Sequence, residues 1–372
     1  MSGTISAGPP KYQQVCRALQ REIRSGRWKE GERLPSEAEL VRRFGASRIT
    51  VGRAVRDLQY AGLVERRAGS GTYVARASSV ATRMSFGLLI PDLGDTDIFE
   101  PMCQGMMASP LASEHALVWG SVTAAHSKDV RAWDLCRQYI TRQVSGVFFA
   151  PLELSPHQED VNRRIAQALD DARIPMVLLD RTVLPYPQRG HHDLVGIDNR
   201  RAGFLITDHL WRLGCRRIAF VGVPGAAATV DARQAGYREA LFIAGGPIDR
   251  ALMRRLDPAD ASAVADLMTS AQPDAIACAN DWTAARLMHT LLRLDYAIPR
   301  DIRLVGIDDV EYANLLPIPL TTLRQPTAEI GAAALAAMLD RVVRPDLPTR
   351  DILLPGELVV RQSCGASQST HR

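Results

Sequence analysis

The sequence predicts an α/β protein in two parts: a small N-terminal domain of three helices and a hairpin, then a larger domain of two lobes. Three observations predict this fold class. Positive charge is concentrated before residue 76, helical periodicity there ends in two short strands, and apolar runs alternate with amphipathic segments from residue 84 onward. The 372 residues suffice for two or three domains, and 46% hydrophobic and 23% charged residues is ordinary for a globular protein.

The N-terminal part carries most of the positive charge. Residues 1–76 contain 15 Lys and Arg against 7 Asp and Glu, a net charge of +8, whereas the remainder carries 30 against 34, a net charge of −4. Such a concentration is typical of a nucleic-acid-binding module. A solvated basic face has the same composition, so charge alone does not separate the two interpretations.

The first 76 residues predict three amphipathic helices and two short strands. Apolar residues recur at three- and four-residue intervals from Tyr12 to Ile23, which places them on one helical face. Ser36 and Glu39 have the spacing of a capping box at the start of a second helix, and Gly45 ends that helix. We therefore predict helices at 11–26, 37–44 and 48–61 and strands at 63–66 and 72–74.

Three helices followed by a two-stranded hairpin form a winged helix-turn-helix. The start of its third helix meets base edges in the major groove, where arginine can bind guanine for about 1–3 kcal/mol of discrimination. Hydroxyls at a helix start can reach phosphates, and a glycine-rich wing lets the backbone approach a groove. Ser47 can also act simply as a helix cap, and the two roles are compatible. The candidate DNA contacts are Ser36, Glu37, Ser47, Arg48, Thr50, Val51, Arg53, Arg66, Arg67, Gly69, Gly71 and Thr72.

Residues 34–74 read LPSEAELVRRFGASRITVGRAVRDLQYAGLVERRAGSGTYV, and this segment resembles the GntR-type winged-helix domain. The resemblance spans about residues 11–76 and implies that double-stranded operator DNA is a partner. Two positions depart from the family pattern: Ala38 stands where the family often has Arg, and Gly52 stands where it usually has Arg or Lys. Gly52 can alter operator choice, and it costs about 1 kcal/mol of helix propensity relative to Ala.

Residues 75–83 are small and polar without periodicity, and they predict a linker, which we place at 77–83. Beyond it, apolar runs alternate with helical patterns, which favours buried parallel strands, too many for one open sheet. Two lobes of parallel sheets flanked by helices are therefore expected. The predicted strands are 86–90, 116–119, 147–150, 176–179, 195–197, 218–221, 275–279 and 304–307. The predicted helices lie near 100–112, 128–143, 157–172, 200–213, 231–244, 260–270, 281–294 and 327–343.

Polar side chains follow four of these strands. Asp92 follows the first strand, Asp180 and Arg181 the fourth, Asn280 the seventh and Asp308 the eighth. Ligands of open α/β sheets bind beyond the carboxyl ends of the strands, so four converging sets predict a ligand site. Each set can instead cap the next helix, and for any single one capping is the stronger interpretation.

The larger domain contains IPMVLLDR (174–181), VGIDNRRAGFLITDHLWRLGCRRIAFVG (195–222), DARQAGYREAL (231–241), CANDWTA (278–284) and RLVGIDDVEYANLLPIPLTTLRQP (303–326). These segments resemble the sensor domain of the LacI/GalR family, which is related to periplasmic sugar-binding proteins. The resemblance implies a periplasmic-binding-protein-like domain at 84–372. It also implies one lobe at about 84–183 and 325–343, the other at about 190–323 and 346–364, and crossovers near 180–190, 323–326 and 343–346.

The same resemblance implies roles for individual residues. Arg233 and Asp308 occupy the positions of the family's ligand clamps, Asn280 matches a ligand-contacting asparagine, and Gln325 follows the second crossover. Trp282 can offer an apolar face to a ligand, although packing at a lobe interface would explain it equally well. Arginine and carboxylate suit a sugar, whose hydroxyls donate and accept, so the expected effector is a small polar molecule, most simply a sugar. The candidate effector-binding residues are Asp92, Phe99, Asp180, Arg181, Arg233, Asn280, Trp282, Asp308 and Gln325.

Several other classes of protein are not supported. None of the six cysteines lies in a CxxC pair, and no HxxxH or HExxH spacing occurs, so neither a disulfide framework nor a metal is expected. Lysine occurs only at Lys11, Lys29 and Lys128, which excludes a lysine Schiff base beyond residue 128. No glycine-rich cofactor loop is visible, so no cofactor is expected. No signal peptide or membrane-spanning stretch is visible, so we expect a cytoplasmic location.

The two resemblances together predict a DNA-binding transcriptional regulator, expected to be a repressor, similar to the chimeric arabinose-repressor-like regulators. We expect a homodimer, because the symmetry of a near-palindromic operator mirrors that of a protein dimer. The first alternative is an enzyme on a Rossmann-like fold with a nucleic-acid-binding arm, which would need a nucleophile or a cofactor loop. The second alternative is a transport-type binding protein, and the predicted winged helix argues against it.

Overall fold

The chain, described here from a computed structural model, divides into two compact units at residues 82 and 83. The structure describes residues 11–29, 31–60, 63–67, 70–74, 84–91, 97–120 and 126–366. The predicted linker at 77–83 and two predicted site residues, Gly69 and Asp92, lie outside these residues. Within them, no helix combines the length and the apolar character needed to cross a membrane.

The first unit contains the predicted three helices and hairpin. Its two strands pair antiparallel, with Val64 opposite Val74, and Arg33 forms an isolated bridge to Tyr73. Leu19, Leu40 and other apolar side chains from all three helices form its core. Its elements are α1 (Lys11–Arg24), α2 (Glu37–Phe44), α3 (Arg48–Tyr60), β1 (Val64–Arg67) and β2 (Gly71–Val74).

The two ends of α2 are defined by caps that the sequence predicts. The hydroxyl of Ser36 accepts a hydrogen bond from the backbone N–H of Glu39 at 3.3 Å, and the Glu39 carboxylate accepts one from the backbone N–H of Ser36 at 2.7 Å. Gly45 ends α2 in the left-handed conformation at φ 53°, which a residue with a Cβ adopts only at a cost. The predicted capping box and helix end are therefore confirmed.

Gly52 lies in α3 without a structural requirement for glycine. A Cβ built at this position has no neighbouring atom within 4 Å. We therefore expect Gly52→Ala to raise the stability of the first unit by about 1 kcal/mol, the difference in helix propensity between the two residues. Urea unfolding of the full chain, followed by helical circular dichroism, measures the effect. Gly45→Ala is the matched control and should destabilise the unit, and an unchanged or lower stability for Gly52→Ala would contradict the expectation.

The second unit contains two six-stranded sheets flanked by helices, which confirms the predicted fold class. In the described residues, all strand pairs of these sheets are parallel except one at an edge of the second sheet. The first sheet has the order β13-β7-β6-β5-β3-β4, from β3 (Ser85–Leu89), β4 (Ala116–Val118), β5 (Gly146–Phe149), β6 (Met176–Leu179), β7 (Asp193–Ile197) and β13 (Asp351–Leu354). The second has the order β14-β12-β11-β10-β8-β9, from β8 (Ile218–Gly222), β9 (Met253–Arg255), β10 (Ala275–Cys278), β11 (Arg303–Asp308), β12 (Thr321–Arg324) and β14 (Glu357–Val359).

Helices connect these strands and cover the sheets. Buried apolar side chains such as Phe148, Ile206 and Leu335 pack between the helices and the sheets. The helices are α4 (Phe99–Ala108), α5 (Lys128–Thr141), α6 (Gln158–Asp171), α7 (Asn199–Arg212), α8 (Ala228–Ile243), α9 (Ala261–Asp266), α10 (Asp281–Arg293) and α11 (Thr327–Val343). Most of the parallel strands therefore end in a loop that leads to a helix, and loops at the strand ends of both sheets build the cavity described below.

The predicted lobe boundaries are wrong at two of the three crossovers. Strand β7 was expected in the second lobe but pairs with β6 in the first sheet, because the polar loop 180–192 returns the chain to the same sheet. Strand β13 was likewise expected in the second lobe but pairs with β7. The chain thus passes between the sheets near Asp198, near Pro326 and between residues 354 and 357.

Four strands have no counterpart in the sequence prediction: β9, β12, β13 and β14. Three of them lie at sheet edges, and the exposure of β13 alternates between exposed and half-buried along the strand. An edge strand buries little apolar surface, so its sequence lacks the continuous apolar run that marks a central parallel strand.

Candidate functional sites

The start of α3 presents polar and apolar groups to solvent. Ser47 caps this helix, since its hydroxyl accepts a hydrogen bond from the backbone N–H of Thr50 at 3.2 Å and lies 2.8 Å from the Thr50 hydroxyl. Arg48 and Ile49 follow on the surface, and the side chain of Ile49 is 82% exposed. A helix start with an exposed arginine and hydroxyls offers the donors that base edges and phosphates accept.

Val51 was predicted as a DNA contact, and that prediction is wrong. Its side chain is fully buried and packs with Val55 and Leu58 in the core of the first unit. Ile49, which the prediction omitted, is the apolar side chain at this helix start that faces solvent. An exposed apolar group there can contact the methyl group of thymine. The helical repeat places Val51 on the same buried face as Val55 and Leu58, and this repeat was the sequence signal that distinguishes Val51 from Ile49.

Two arginines predicted to contact DNA are held by neighbouring side chains. The guanidinium of Arg53 lies over the ring of Tyr12, 3.9 Å from its centroid, which ties α3 to α1. Arg66 donates a hydrogen bond to Glu37 at 2.9 Å and so joins the wing to the start of α2. Both remain exposed, and their DNA contacts stay predictions. Arg67 lies at the end of β1, and Gly71 and Thr72 begin β2.

A cavity of about 230 Å³ lies where the strands of both sheets end in the second unit. Charged residues line it from both sides. The loops after strands of the first sheet contribute Asp97, Glu153, Asp180 and Arg181 to its wall, and α5 contributes Lys128. Elements of the second sheet and its helices contribute Thr229, Arg233, Asn280, Trp282, Asp308 and Tyr312. The structure thus brings together the predicted polar sets after the fourth, seventh and eighth strands.

Arg233 and Asp308 face each other across this cavity wall. The Nη2 atom of Arg233 is 3.6 Å from Oδ1 of Asp308, and only 4% of the arginine side chain is exposed. Its other nitrogens donate to Oδ1 of Asn199 at 2.8 Å and to the carbonyl of Ala279 at 2.7 Å. The guanidinium is therefore fixed in position before any ligand arrives, with its charge directed at the carboxylate.

The carboxyl group of Asp308 is held in an uncommon environment. Its backbone has φ 130°, a region that non-glycine residues rarely adopt and that costs of order 1–3 kcal/mol. Burial raises the pKa of Asp308 to about 7, although Arg233 opposes that shift. Asp281 and Asp180 add to it by repulsion. Strain and a raised pKa at one cavity residue are features of functional positions.

Gln325 was predicted to contact the effector, but it lies behind Asp308 and does not line the cavity. Its side chain is buried, and its amide donates a hydrogen bond to Oδ1 of Asp308 at 2.7 Å. Gln325 therefore positions the carboxylate. Asp308 pairs with Arg324 where β11 and β12 end, so the residue after Arg324 comes next to Asp308, and sequence spacing did not reveal this pairing.

Phe99 was also predicted as an effector contact and is instead part of the core. It is fully buried, and the guanidinium of Arg181 lies over its ring at 5.4 Å from the centroid. Arg181 forms a salt bridge with Glu153, and its Nε is 3.6 Å from Oδ2 of Asp180. The aromatic ring thus supports the arginine from below rather than the ligand. Burying a large aromatic ring next to an apolar strand is energetically more favourable than exposing the ring to a small polar site.

Asn280 and Trp282 both line the cavity. The side-chain oxygen of Asn280 accepts hydrogen bonds from the backbone N–H of Thr283 at 2.9 Å and from its hydroxyl at 2.6 Å, so Asn280 caps α10. The capping alternative is therefore correct for this residue and coexists with its place on the wall. Trp282 is 40% exposed, and Arg286 lies over its ring, which argues against simple interior packing.

Glu153, which was not among the predicted site residues, joins the two halves of the cavity. Its Oε2 accepts a hydrogen bond from the backbone N–H of Ala227, at the start of α8, at 3.1 Å. The next residue, Leu154, donates its backbone N–H to the carbonyl of Gly225 at 2.9 Å. Burial opposes its ionisation, but Arg181 holds the pKa of Glu153 below its ordinary value. Its place beyond the carboxyl end of β5 was the signal that could have found it.

His191, His192 and Asp170 approach one another away from the cavity. The Nε2 atom of His191 is 3.0 Å from Oδ2 of Asp170, and that of His192 is 3.5 Å from the same oxygen. Burial lowers the pKa of His192 to about 4, so its ring is neutral at neutral pH. The contacts join the end of α6 to the loop before β7. Because the aspartate and the two histidines are distant in the chain, a search for HxxxH spacing does not detect their proximity.

Comparison with known protein families agrees with both units. Residues 11–74 match the family of bacterial regulatory proteins of the GntR type, and residues 207–364 match the periplasmic binding protein-like domain. A winged helix with an exposed basic helix start, followed by a two-sheet domain with a charged cavity, defines a ligand-responsive DNA-binding regulator. The chain is a transcriptional regulator that joins a GntR-type DNA-binding domain to a periplasmic-binding-protein-like domain.

Individual curated proteins are similar to most of this chain. The arabinose metabolism transcriptional repressor of Geobacillus stearothermophilus is 28% identical over 366 residues, which cover 95% of this chain and 97% of the relative. The ribose operon repressor of Halalkalibacterium halodurans is 26% identical over 300 residues, 80% of this chain and 84% of the relative. These relatives are transcriptional regulators and not enzymes.

Solved structures show the same fold. A complex of the transcriptional regulator CelR with cellobiose superposes with a TM-score of 0.64 at 22% identity and covers 95% of this chain and 100% of its own. A LacI family regulator from Enterococcus faecium with bound ribose has a TM-score of 0.61 at 24% identity and covers 75% of this chain and 98% of its own.

Proposed function

We propose that this regulator is a repressor whose operator affinity is controlled by a sugar bound in the cavity of the second unit. The observation that carries the proposal is the Arg233–Asp308 pair, fixed on the cavity wall and 3.6 Å apart. Such a pair offers donors and an acceptor at once, which suits hydroxyl groups. The names of its relatives, repressors of arabinose and ribose genes, support a sugar as effector.

Effector binding in the cavity can be coupled to a change in the relative position of the two sheets. Asp180 and Arg181 belong to the first-sheet side, whereas Arg233 and Asp308 belong to the second, so a ligand between them stabilises one arrangement of the two halves. Such a change is transmitted to the DNA-binding units by linkage. A coupling of about 1–3 kcal/mol changes operator affinity roughly 5–150-fold.

A footprint on DNA upstream of the chain's own gene tests the regulator function. A protected, near-palindromic site whose occupancy responds to a sugar is the expected result. An enzyme with an accessory basic arm would protect no specific sequence, and it would turn over a substrate. Because the protein acts on operator DNA under this proposal, we propose that it is located in the cytoplasm and has no catalytic role.

We further propose that the functional form is a homodimer held together by the second unit. A single winged helix covers too little DNA for high specificity, and two N-terminal parts of net charge +8 repel each other. Met107, Leu111 and Trp119 are exposed apolar side chains on consecutive elements that lead to the free edge strand β4. Exposed apolar side chains beside a free edge are typical of an interface.

Sedimentation velocity of the full chain at micromolar concentration tests this assembly. We expect a dimer for the natural chain and a monomer for Trp119→Asp, because a charge at the interface would be buried without a partner. Leu315→Asp is the matched control, since Leu315 is equally apolar and exposed but lies beyond β11 of the second sheet. A natural chain that sediments as a monomer, or a Trp119→Asp chain that remains dimeric, would argue against the proposed interface.

A further inference from the structure

Three side chains that can bind a metal ion meet outside the cavity. Asp170, His191 and His192 each offer one ligand atom, and these atoms all lie within 4.8 Å of one another. Asp170 lies in the last turn of α6, and the two histidines lie in the loop that leads into β7. None of the three lines the cavity, so the cluster is separate from the proposed effector site.

The distances within this cluster fit the ligands of one ion. Nε2 of His191 is 3.0 Å from Oδ2 of Asp170, and Nε2 of His192 is 3.5 Å from the same oxygen. A hydrogen bond explains the first contact, but the second is longer than the roughly 2.7–3.2 Å of an N–H···O bond. Ligand atoms bound tetrahedrally to one zinc ion lie about 3.3 Å from each other. The two observed distances lie on either side of this value.

The two consecutive histidines approach one carboxylate because the chain bends at them. In an extended strand, successive side chains point to opposite faces. Here the ring centroids of His191 and His192 are only 4.1 Å apart, and both Nε2 atoms approach Asp170. An ion pair with Asp170 requires one of the two rings, whereas chelation of a cation uses both.

The loop that carries the histidines is anchored before any ion arrives. The guanidinium of Arg189 donates to the carbonyl of His192 at 2.9 Å and forms an ion pair with Asp351. The hydroxyl of Thr349 donates to the carbonyl of His191 at 2.9 Å. Both contacts tie the backbone of the loop to the segment around β13. Ligands on an anchored backbone lose little conformational freedom when they bind a metal.

The positive charges near the cluster are paired with other carboxylates. Arg341 and Arg350 bind Asp193 at 2.8 and 2.9 Å, and Arg189 pairs with Asp351. An unpaired guanidinium beside the histidines would repel a cation, and these ion pairs reduce that repulsion. The carboxylate of Asp170 can therefore supply the negative charge that a divalent cation needs.

Exposure and ligand type indicate the class of ion. The side chain of His191 is 76% exposed and that of Asp170 is 31% exposed, so the cluster is open to ions and water can complete the coordination. Imidazole nitrogens with one carboxylate are ligands of Zn²⁺ and related transition metals. Mg²⁺ and Ca²⁺ bind oxygen ligands and are poorly served by two imidazoles.

We propose that Asp170, His191 and His192 bind one divalent transition-metal cation of the Zn²⁺ class, which joins α6 to the loop between β6 and β7. No metal was expected from the sequence because HxxxH and HExxH spacings are lacking, whereas these ligands come from distant parts of the chain. The same loop begins at Asp180 and Arg181, which line the cavity. The cation thus restrains one end of a loop whose other end forms part of the cavity wall.

Titration of the metal-free full chain, without a histidine tag, tests the site at pH 7.5. Calorimetry should show one Zn²⁺ per chain bound at submillimolar concentration, and Co²⁺ should give the visible absorption of a tetrahedral complex. Zn²⁺ should also raise the melting temperature, because an ion that binds only the folded state stabilises it. Millimolar Mg²⁺ should not displace the bound ion. A natural chain that binds no Zn²⁺ at submillimolar concentration would overturn the proposal and leave the proposed regulator function intact.

His191→Ala and Asp170→Ala test the ligands, and both should fold because neither side chain is buried. Outer-shell partners of a metal already contribute about 10–100-fold in affinity, so the loss of a direct ligand should weaken Zn²⁺ binding about 30-fold or more. His157→Ala is the matched control, since His157 is an exposed histidine at the other end of α6, and its Zn²⁺ affinity should equal that of the natural chain. Unchanged Zn²⁺ affinity in both ligand variants would refute the assignment. Variants that lose stability although the natural chain binds no Zn²⁺ would show that the cluster is a structural ion pair only.

Discussion

Asp308→Asn is expected to weaken the effector response by about 1–3 kcal/mol, the cost of a lost hydrogen bond to a charged group. The carboxylate stands 3.6 Å from Arg233 on the cavity wall and is positioned by Gln325, so an amide retains the shape but not the charge. Operator affinity without effector should be nearly unchanged, because the winged helix forms a separate compact unit. Gel shifts across an effector titration measure both quantities.

The same substitution should change how stability depends on pH. Burial raises the pKa of Asp308 to about 7, whereas an unfolded chain has an Asp pKa of about 3.9. Between these values the folded state binds more protons than the unfolded state, so the stability of the natural chain falls as pH rises through this window. Asp281, whose pKa burial raises to about 6, titrates in the same window. Asp308→Asn removes one of these groups, so its thermal stability should fall less between pH 4 and 7.

A control residue separates this effect from a general change of charge. Asp301 has a pKa lowered to about 2 by its hydrogen bond with Arg300, so it titrates below the window. Because Asp301 of the unfolded chain titrates at about 3.9, the two variants are compared between about pH 5 and 7, where Asp301→Asn should leave the pH slope unchanged. If Asp308→Asn lowers thermal stability and leaves the effector response intact, Asp308 is a structural residue and its assignment to the effector site is wrong.

Arg48→Ala should abolish sequence-specific DNA binding and leave the fold intact. Arg48 is exposed at the first position of α3, directly after the cap at Ser47, where a guanidinium can reach the edge of guanine. The expected loss is about 1–3 kcal/mol for each operator half-site. Gel shifts on operator and on random DNA measure it, and circular dichroism checks the fold.

Arg56→Ala is the matched control for charge, because Arg56 lies exposed two turns further along α3. Any loss of affinity caused by Arg56→Ala should be the same on operator DNA and on random DNA. Unchanged operator affinity for Arg48→Ala would contradict a role for Arg48 in recognition. An equal loss on both DNAs would assign Arg48 to a phosphate contact instead of a base.

Local sequence was sufficient to predict much of the first unit and the polar residues at the strand ends that line the cavity. The capping box at Ser36, the end of α2 at Gly45 and the cap at Ser47 each involve residues within a few positions of one another. Asp180 and Asp308 were placed correctly because each directly follows a buried apolar strand, and parallel strands end at one edge. Such features depend on periodicity and on neighbours in the chain, which a sequence displays.

What only the tertiary structure decided depends on contacts between distant residues. The sequence alone predicted two domains, the order of most elements and the polar sets at strand ends. It assigned β7 and β13 to the wrong sheet, because pairing with β6 and β7 is a choice among distant strands. Glu153 reaches Ala227 across the cavity, and burial among distant elements sets the pKa of Asp308. Sequence periodicity shows which face of an element is apolar, whereas packing against distant elements determines which polar atoms remain without a partner.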